Sequence, residues 1–195
     1  GLTSLDLSSF DSSKVTNMGH MFADASGLTS LNVGSFNTSN VVYMDSMFAG
    51  LRSLKKLELS GFNTSKVTTM KWMFAGSNSL TELNLSNFNT SKVSIMEGLF
   101  KDASGLISID LSGWNTSSVV SMEAMFMDTS SLATINLSDI DTSNVTTMSQ
   151  MFAGASGLTS LDLSGFDTSK VTTMNEMFSG ASIHQLTLGA RTRIT

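Results

Sequence analysis

Leucine returns every 26 residues along almost the whole chain. Leu2, Leu28, Leu54, Leu80, Leu106, Leu132 and Leu158 each open one copy of the pattern L-x-x-L-x-L-S-x-F-[DN]-T-S-x-V-x-x-M-x-x-M-F-x-x-x-x-x. An eighth, partial copy starts at Ile183, one residue early, and carries Leu186 and Leu188. A fixed period of this length is the mark of a solenoid, in which each repeat is one supersecondary unit that buries its apolar face only against its neighbours. The period therefore predicts one elongated domain over residues 1–195, although a chain of this length could otherwise hold two.

Residues 28–53 serve to read one coil. Leu31 and Val33 flank the polar Asn32, the period-2 alternation of a strand with one buried face. Phe36 follows on the turn. Asn37-Thr38-Ser39 comes next, and such side chains bond neighbouring backbone amides and so favour turns and caps. The third position of this cluster is Ser in all seven copies, from Ser13 to Ser169, which predicts a helix N-cap with an Asx-turn closed by the residue two earlier. Val41, Met44, Met47 and Phe48 then fall on one face of a short helix, ended by Ala49-Gly50. Equivalent strands would lie parallel about 4.8 Å apart, whereas helices need about 10 Å. The helical side must then fan out. The expected fold is an α/β solenoid with the form of a leucine-rich-repeat horseshoe, strands on the concave face and short helices on the convex face.

The remaining composition narrows the function classes. A hydrophobic content of 41% suffices for a continuous core, and no apolar run approaches the length of a transmembrane helix, so no direct membrane insertion is expected. A net charge of −5 argues against a nucleic-acid partner, which calls for a basic stripe. The absence of Cys excludes disulfides and thiolate metal sites. His20 and His184 lie more than six coils apart, and no G-x-S-x-G, P-loop or H-E-x-x-H motif occurs, so no enzyme, no metal and no cofactor is expected. The chain opens directly on a repeat strand with no secretion signal in view, which reads as a fragment of a longer protein.

Two features are candidates for binding. The central outward position of the strands reads Asp6, Asn32, Glu58, Asn84, Asp110, Asn136 and Asp162, acid and amide alternating without exception. Small polar rows flank it. This is either a weakly acidic ligand strip, suited to a basic protein segment, a glycan or divalent cations, or simply a solvated face carrying ladders of small side chains. The second feature is a departure from the repeat. Arg52, Lys55 and Lys56 form a basic cluster in the third coil, with Trp72 in its predicted helix. A partner-contact patch and an ordinary charged surface both account for it. The Met rows, by their spacing beside Val and Phe, read as core, and Trp114, which replaces the Phe of its row, reads as packing.

The segment Met151-Phe152-Ala153-Gly154-Ala155-Ser156-Gly157-Leu158 continues through Thr159-Ser160-Leu161-Asp162-Leu163-Ser164-Gly165-Phe166-Asp167-Thr168-Ser169 to Lys170-Val171-Thr172-Thr173-Met174. It resembles the BspA-like leucine-rich-repeat surface proteins, and more narrowly the bacterial surface-protein 26-residue repeats; the resemblance covers essentially residues 1–188. It implies an extracellular location on the bacterial cell surface, with signal and anchor outside this chain. The implied role is the repeat region of an adhesin whose partner is a host or cell-surface protein or glycan. Family members often carry Cys where this chain has Ala25, Leu51, Ser77, Ala103, Thr129, Ala155 and Ala181. Two other expectations stand beside the adhesin. The array could be a structural stalk holding a distal binding domain, or a scaffold in end-to-end self-association through uncapped ends.

Overall fold

In the computed structural model, which describes residues 2–194, the chain winds into stacked coils whose equivalent positions lie side by side. Two parallel pairs of strands are formed on one side: β1 (Ser108–Asp110) with β2 (Thr134–Asn136), and β3 (Ser160–Leu163) with β4 (Gln185–Leu188). Ile109 and Leu161 point into the core from β1 and β3 while their neighbours face out, as the alternation predicts. The last pairing places Leu161 beside Leu186 and Leu163 beside Leu188, an offset of 25 residues rather than 26.

Residues 28–33, predicted as a strand, form none, but two tight turns follow the same side in each of the seven full repeats. The amide of Phe36 donates to the Val33 carbonyl at 3.0 Å, and that of Val41 donates to the Thr38 carbonyl at 2.9 Å. The chain then touches its neighbours through single-residue parallel bridges running unbroken from Asn17 through Tyr43, Thr69, Ile95, Ser121 and Thr147 to Thr173.

The predicted helices are not formed: among the described residues there is no helix. Residues 18–25 show why. The amides of Met18, His20, Phe22 and Asp24 donate to the carbonyls of Tyr43, Asp45, Met47 and Ala49 in the next coil, at 2.8–3.1 Å. Those of Met21, Ala23 and Ala25 turn back to residues three earlier, at 3.1–3.3 Å. A helix directs every amide along its own axis; here alternate amides are turned outward into the stack. Left-handed residues make this geometry, at φ 59° for His20 and 56° for Asp24, and the next coil repeats them at Ser46 and Gly50. The segment is a ribbon of β-turns hydrogen-bonded to its neighbours, and Ser39 and its equivalents are not helix N-caps.

The turn ribbon is thus held at hydrogen-bond spacing through seven coils, while strand pairs on the other side join the fifth coil to the sixth and the seventh to the eighth. The rings of Phe22, Phe48, Phe74, Phe100, Phe126, Phe152 and Phe178 stack between successive coils at 5.4–6.0 Å, with interplanar angles of 5–14°. Packed helices would stand about 8–10 Å apart. The width difference that predicted a horseshoe is absent, and the architecture is a solenoid of strands and turns. Its core is continuous, with the Met rows buried in the inner coils and the Leu rows buried apart from Leu83, which is partly buried.

A second ladder is polar. The Thr of the N-T-S cluster is buried in the inner coils, and its hydroxyl bonds the next coil's backbone. Thr38 Oγ1 donates to the Asn63 carbonyl at 3.0 Å and accepts from the Asn63 amide at 2.7 Å. Thr64, Thr116 and Thr142 repeat both bonds with Asn89, Asp141 and Asp167. One buried hydroxyl thus satisfies a part-buried backbone donor and acceptor that no strand reaches.

Candidate functional face

The acid and amide row lies on the strand side, exposed in every coil. Its side chains are largely committed to their own backbone. Asp6, Asn32, Asn84, Asp110, Asn136 and Asp162 each accept the amide of the residue two further on, at 2.8–3.1 Å. These Asx-turns end the strand and start the corner, a local job for which only the short Asp and Asn side chains have the reach. Glu58, one methylene longer, does not make the turn. Its carboxylate instead takes the Lys56 ammonium at 3.0 Å in an exposed pair. The turn uses one oxygen of each carboxylate, and the row remains a line of outward acceptors.

A second Asx row stands at the next corner, where Asn37, Asn63, Asn89 and Asn115 accept the amides of Ser39, Ser65, Ser91 and Ser117 at 3.1 Å. Asp11, Asp141 and Asp167 do the same at 2.9–3.0 Å.

The carboxylates feel these bonds. The Ser8, Ser112 and Ser164 amides hold Asp6, Asp110 and Asp162 below the usual Asp range, as the Ser13 and Ser169 amides do for Asp11 and Asp167. Asp141 is lowered first by the Ser143 side chain. The amide bond favours the ionised form, so the stabilisation is complete above the ordinary Asp value and is lost as pH falls through the lower folded values. Thermal stability should therefore decline as pH falls below about 4, the ordinary Asp value. Changing Asp6, Asp110 and Asp162 to Asn should flatten that decline, because the amide keeps the turn without titrating. An identical decline in scanning calorimetry would show that the carboxylates contribute nothing.

The basic feature of the third coil divides. Lys55 and Lys56 lie exposed on the strand side, where Lys56, Glu58, Glu82 and Asp110 border a shallow concavity of about 390 Å³. The Glu58 carboxylate raises the Lys56 pKa by hydrogen bonding. Arg52 is exposed in the bend leading to this strand segment. Trp72 belongs to the turn ribbon instead. It is 41% exposed with φ 55°, and its indole lies over Gly98, where an added Cβ would meet the ring at 2.0 Å. The Lys71 ammonium sits 4.3 Å from the indole centroid and 2.9 Å from the Glu97 carboxylate. The ring is packed between side chain and backbone, which leaves it poorly placed as a free stacking platform. Trp114 is buried and donates its Nε1 proton to the Leu85 carbonyl at 3.3 Å.

Among the described residues no group of three or more His, Cys, Asp or Glu is placed to hold a metal ion, and no helix is long and apolar enough to cross a membrane. The first coil exposes Leu2 and Phe10, and β4 exposes Leu186 and Leu188.

A family model described as "Mycoplasma protein of unknown function, DUF285" matches residues 2–108 and 106–190. No curated protein matches the sequence. Among solved structures, the functional domain of InlJ from Listeria monocytogenes, which includes a cysteine ladder, is similar at 15% identity. That likeness covers 99% of this chain and 47% of that one, with a TM-score of 0.30. A leucine-rich repeat protein from Bacteroides ovatus is 13% identical over 95% of this chain and 78% of that one, with a TM-score of 0.21. Neither superposes closely enough to inform the geometry. The chain spans about half the length of the InlJ domain it matches.

Proposed function

The chain belongs to the DUF285 family, and we propose that it is the repeat region of a bacterial cell-surface adhesin that binds a host or cell-surface macromolecule, protein or glycan, through its strand face. The observation that carries this reading is the unbroken exposed row from Asp6 to Asp162, which offers one acid or amide acceptor per coil. The motif resemblance to BspA-like surface repeats supports the same reading and an extracellular location, with signal and anchor outside the chain. The partner is not a nucleic acid, no catalysis or cofactor is involved, and the chain itself does not enter a membrane.

A stalk is the second reading, favoured by the use of six of the seven row side chains for the chain's own turns. Surface plasmon resonance on immobilised mucin and matrix proteins separates the two. An adhesin gives saturable retention of the purified array on at least one of them. Retention on none would reject the adhesin and favour the stalk.

A further inference from the structure

We infer that the Lys55–Lys56 peptide bond is a cleavage site for an endopeptidase that takes a Lys side chain in an acidic pocket; the inference holds whatever the array binds. Such an enzyme needs an extended substrate whose backbone groups are free to be paired as an added strand. Among the described residues, the third coil alone offers one on the strand side. The backbone of Lys55, Lys56, Leu57 and Glu58 neither donates nor accepts a hydrogen bond within the protein. The equivalent segments are all tied to at least one neighbour. Thr29 donates to the Thr3 carbonyl at 3.0 Å and Ile107 to that of Thr81 at 3.2 Å. The fifth and sixth coils, and the seventh and eighth, pair as strands. Lys55 and Lys56 also stand where the adjoining coils carry Thr29-Ser30 and Thr81-Glu82, so the departure in sequence and the departure in bonding coincide.

Every other basic residue is held in a way that resists such an enzyme. Lys14, Lys66, Lys92 and Lys170 lie in corner turns closed by the amides of Val15, Val67, Val93 and Val171 at 2.9–3.1 Å, a bent backbone that no extended cleft accepts. In the ribbon, the Lys71 and Lys101 carbonyls accept from the Ser46 and Gly76 amides at 2.7–2.8 Å. The Arg52 carbonyl accepts the Ser79 hydroxyl, and those of Arg191 and Arg193 accept from Thr168. Lifting the third segment gives up the burial of Leu54 and Leu57 but no backbone ladder, so it opens before the paired strands do. Lys55 is exposed and makes no ion pair among the described residues, whereas Lys56 is drawn to Glu58 at 3.0 Å. Lys55 is therefore the side chain free to enter the pocket. Hydrolysis there breaks the C–N bond to Lys56, water supplying oxygen to the Lys55 carbonyl carbon and a proton to the Lys56 nitrogen.

The test is limited digestion of the whole chain with trypsin, its fragments followed in time by mass spectrometry. The first cut is expected in the Lys55–Lys56 pair, at least about tenfold faster than at any other Lys or Arg. A variant with Ala133→Lys and Thr134→Lys sets the same pair at the equivalent exposed positions of the sixth coil, where β2 is paired with β1. In that variant the new pair should be cut at least about tenfold more slowly than Lys55–Lys56 of the same molecule. A first cut elsewhere in the unaltered chain overturns the inference. So does equal cutting of the two pairs in a variant that keeps the circular dichroism spectrum of the parent, because the basic pair and not its free backbone would then decide. If the double variant does not fold, Thr134→Lys alone supplies the same comparison, and cutting there as fast as in the Lys55–Lys56 pair overturns the inference equally.

Discussion

Replacing Thr116 with valine, a change of almost no volume, is expected to cost roughly 1–3 kcal/mol, because it leaves two part-buried backbone groups of Asp141 without their partner. Thr116 is fully buried, its hydroxyl donating to the Asp141 carbonyl at 2.9 Å and accepting from the Asp141 amide at 2.8 Å. Valine fills the same space and bonds neither. Thr116→Ser keeps the hydroxyl and should lose only about 1 kcal/mol for the missing methyl. Ser117→Ala, one residue on and exposed, removes a hydroxyl bonded to the Asn115 amide oxygen at 2.7 Å and should change stability by less than about 0.5 kcal/mol. Urea unfolding of the three variants checks the order. A valine variant no weaker than the serine variant would mean the polar ladder does not hold the coils together.

This ladder shows what the sequence exposes and what it conceals. The buried rows were readable because apolar side chains report burial directly: Leu57, Phe62, Val67, Met70, Met73 and Phe74 all face the core as their spacing implies. The Asx-turn at Asn63 was readable too, since Asn two residues before a turn amide has few other uses. The helix was misread from the same kind of signal. Val41, Met44, Met47 and Phe48 lie on one helical face, but a ribbon of β-turns buries those positions equally well. Periodicity alone does not separate the two.

A separating signal was present. The position of Asp24 reads Gly50, Gly76, Asp102, Asp128, Gly154 and Gly180 in later coils, and every one has positive φ. Gly and Asp are among the residues that accept the left-handed region most readily, and a strict Gly-or-Asp row marks a recurrent backbone turn more than the end of a helix. The companion row, His20, Ser46, Trp72, Gly98, Ala124, Gln150 and Glu176, also has positive φ throughout yet shows no such preference. There the inter-coil hydrogen bonds impose the conformation, and no single-residue preference reveals it.

The candidate face was legible in place but not in chemistry. The alternation from Asp6 to Asp162 located an exposed row correctly, whereas its role in closing turns depends on a two-residue reach that becomes visible only with the strand ends in place. Trp72 and Lys56 are close in sequence and share a repeat. They separate because one belongs to the turn ribbon and the other to the strand side, so sequence proximity within a coil does not make a patch.

The aromatic ladder carries the larger consequence for how the array holds together. Phe100 is fully buried and stacks on Phe74 at 5.7 Å and on Phe126 at 5.4 Å. Phe100→Ala should cost about 3–5 kcal/mol, the range for a buried ring removed from a packed core. In a quasi-one-dimensional array that loss falls on two interfaces, one on each side of the fourth coil. The urea transition is therefore expected to broaden or divide, with the coils on either side unfolding separately. Phe178→Ala is the comparison. That ring is only partly buried and stacks on Phe152 alone among the described residues, at 6.0 Å. It should cost well under half as much and leave a single sharp transition. Hydrogen exchange adds a local reading, since the Phe74 amide donates to the Leu99 carbonyl and the Phe100 amide to the Met125 carbonyl. Both amides should lose protection in the Phe100 variant and keep it in the Phe178 variant. Equal losses of stability at the two sites, with one sharp transition in each, would mean that cooperativity rests on the backbone ladders and not on the stacked rings.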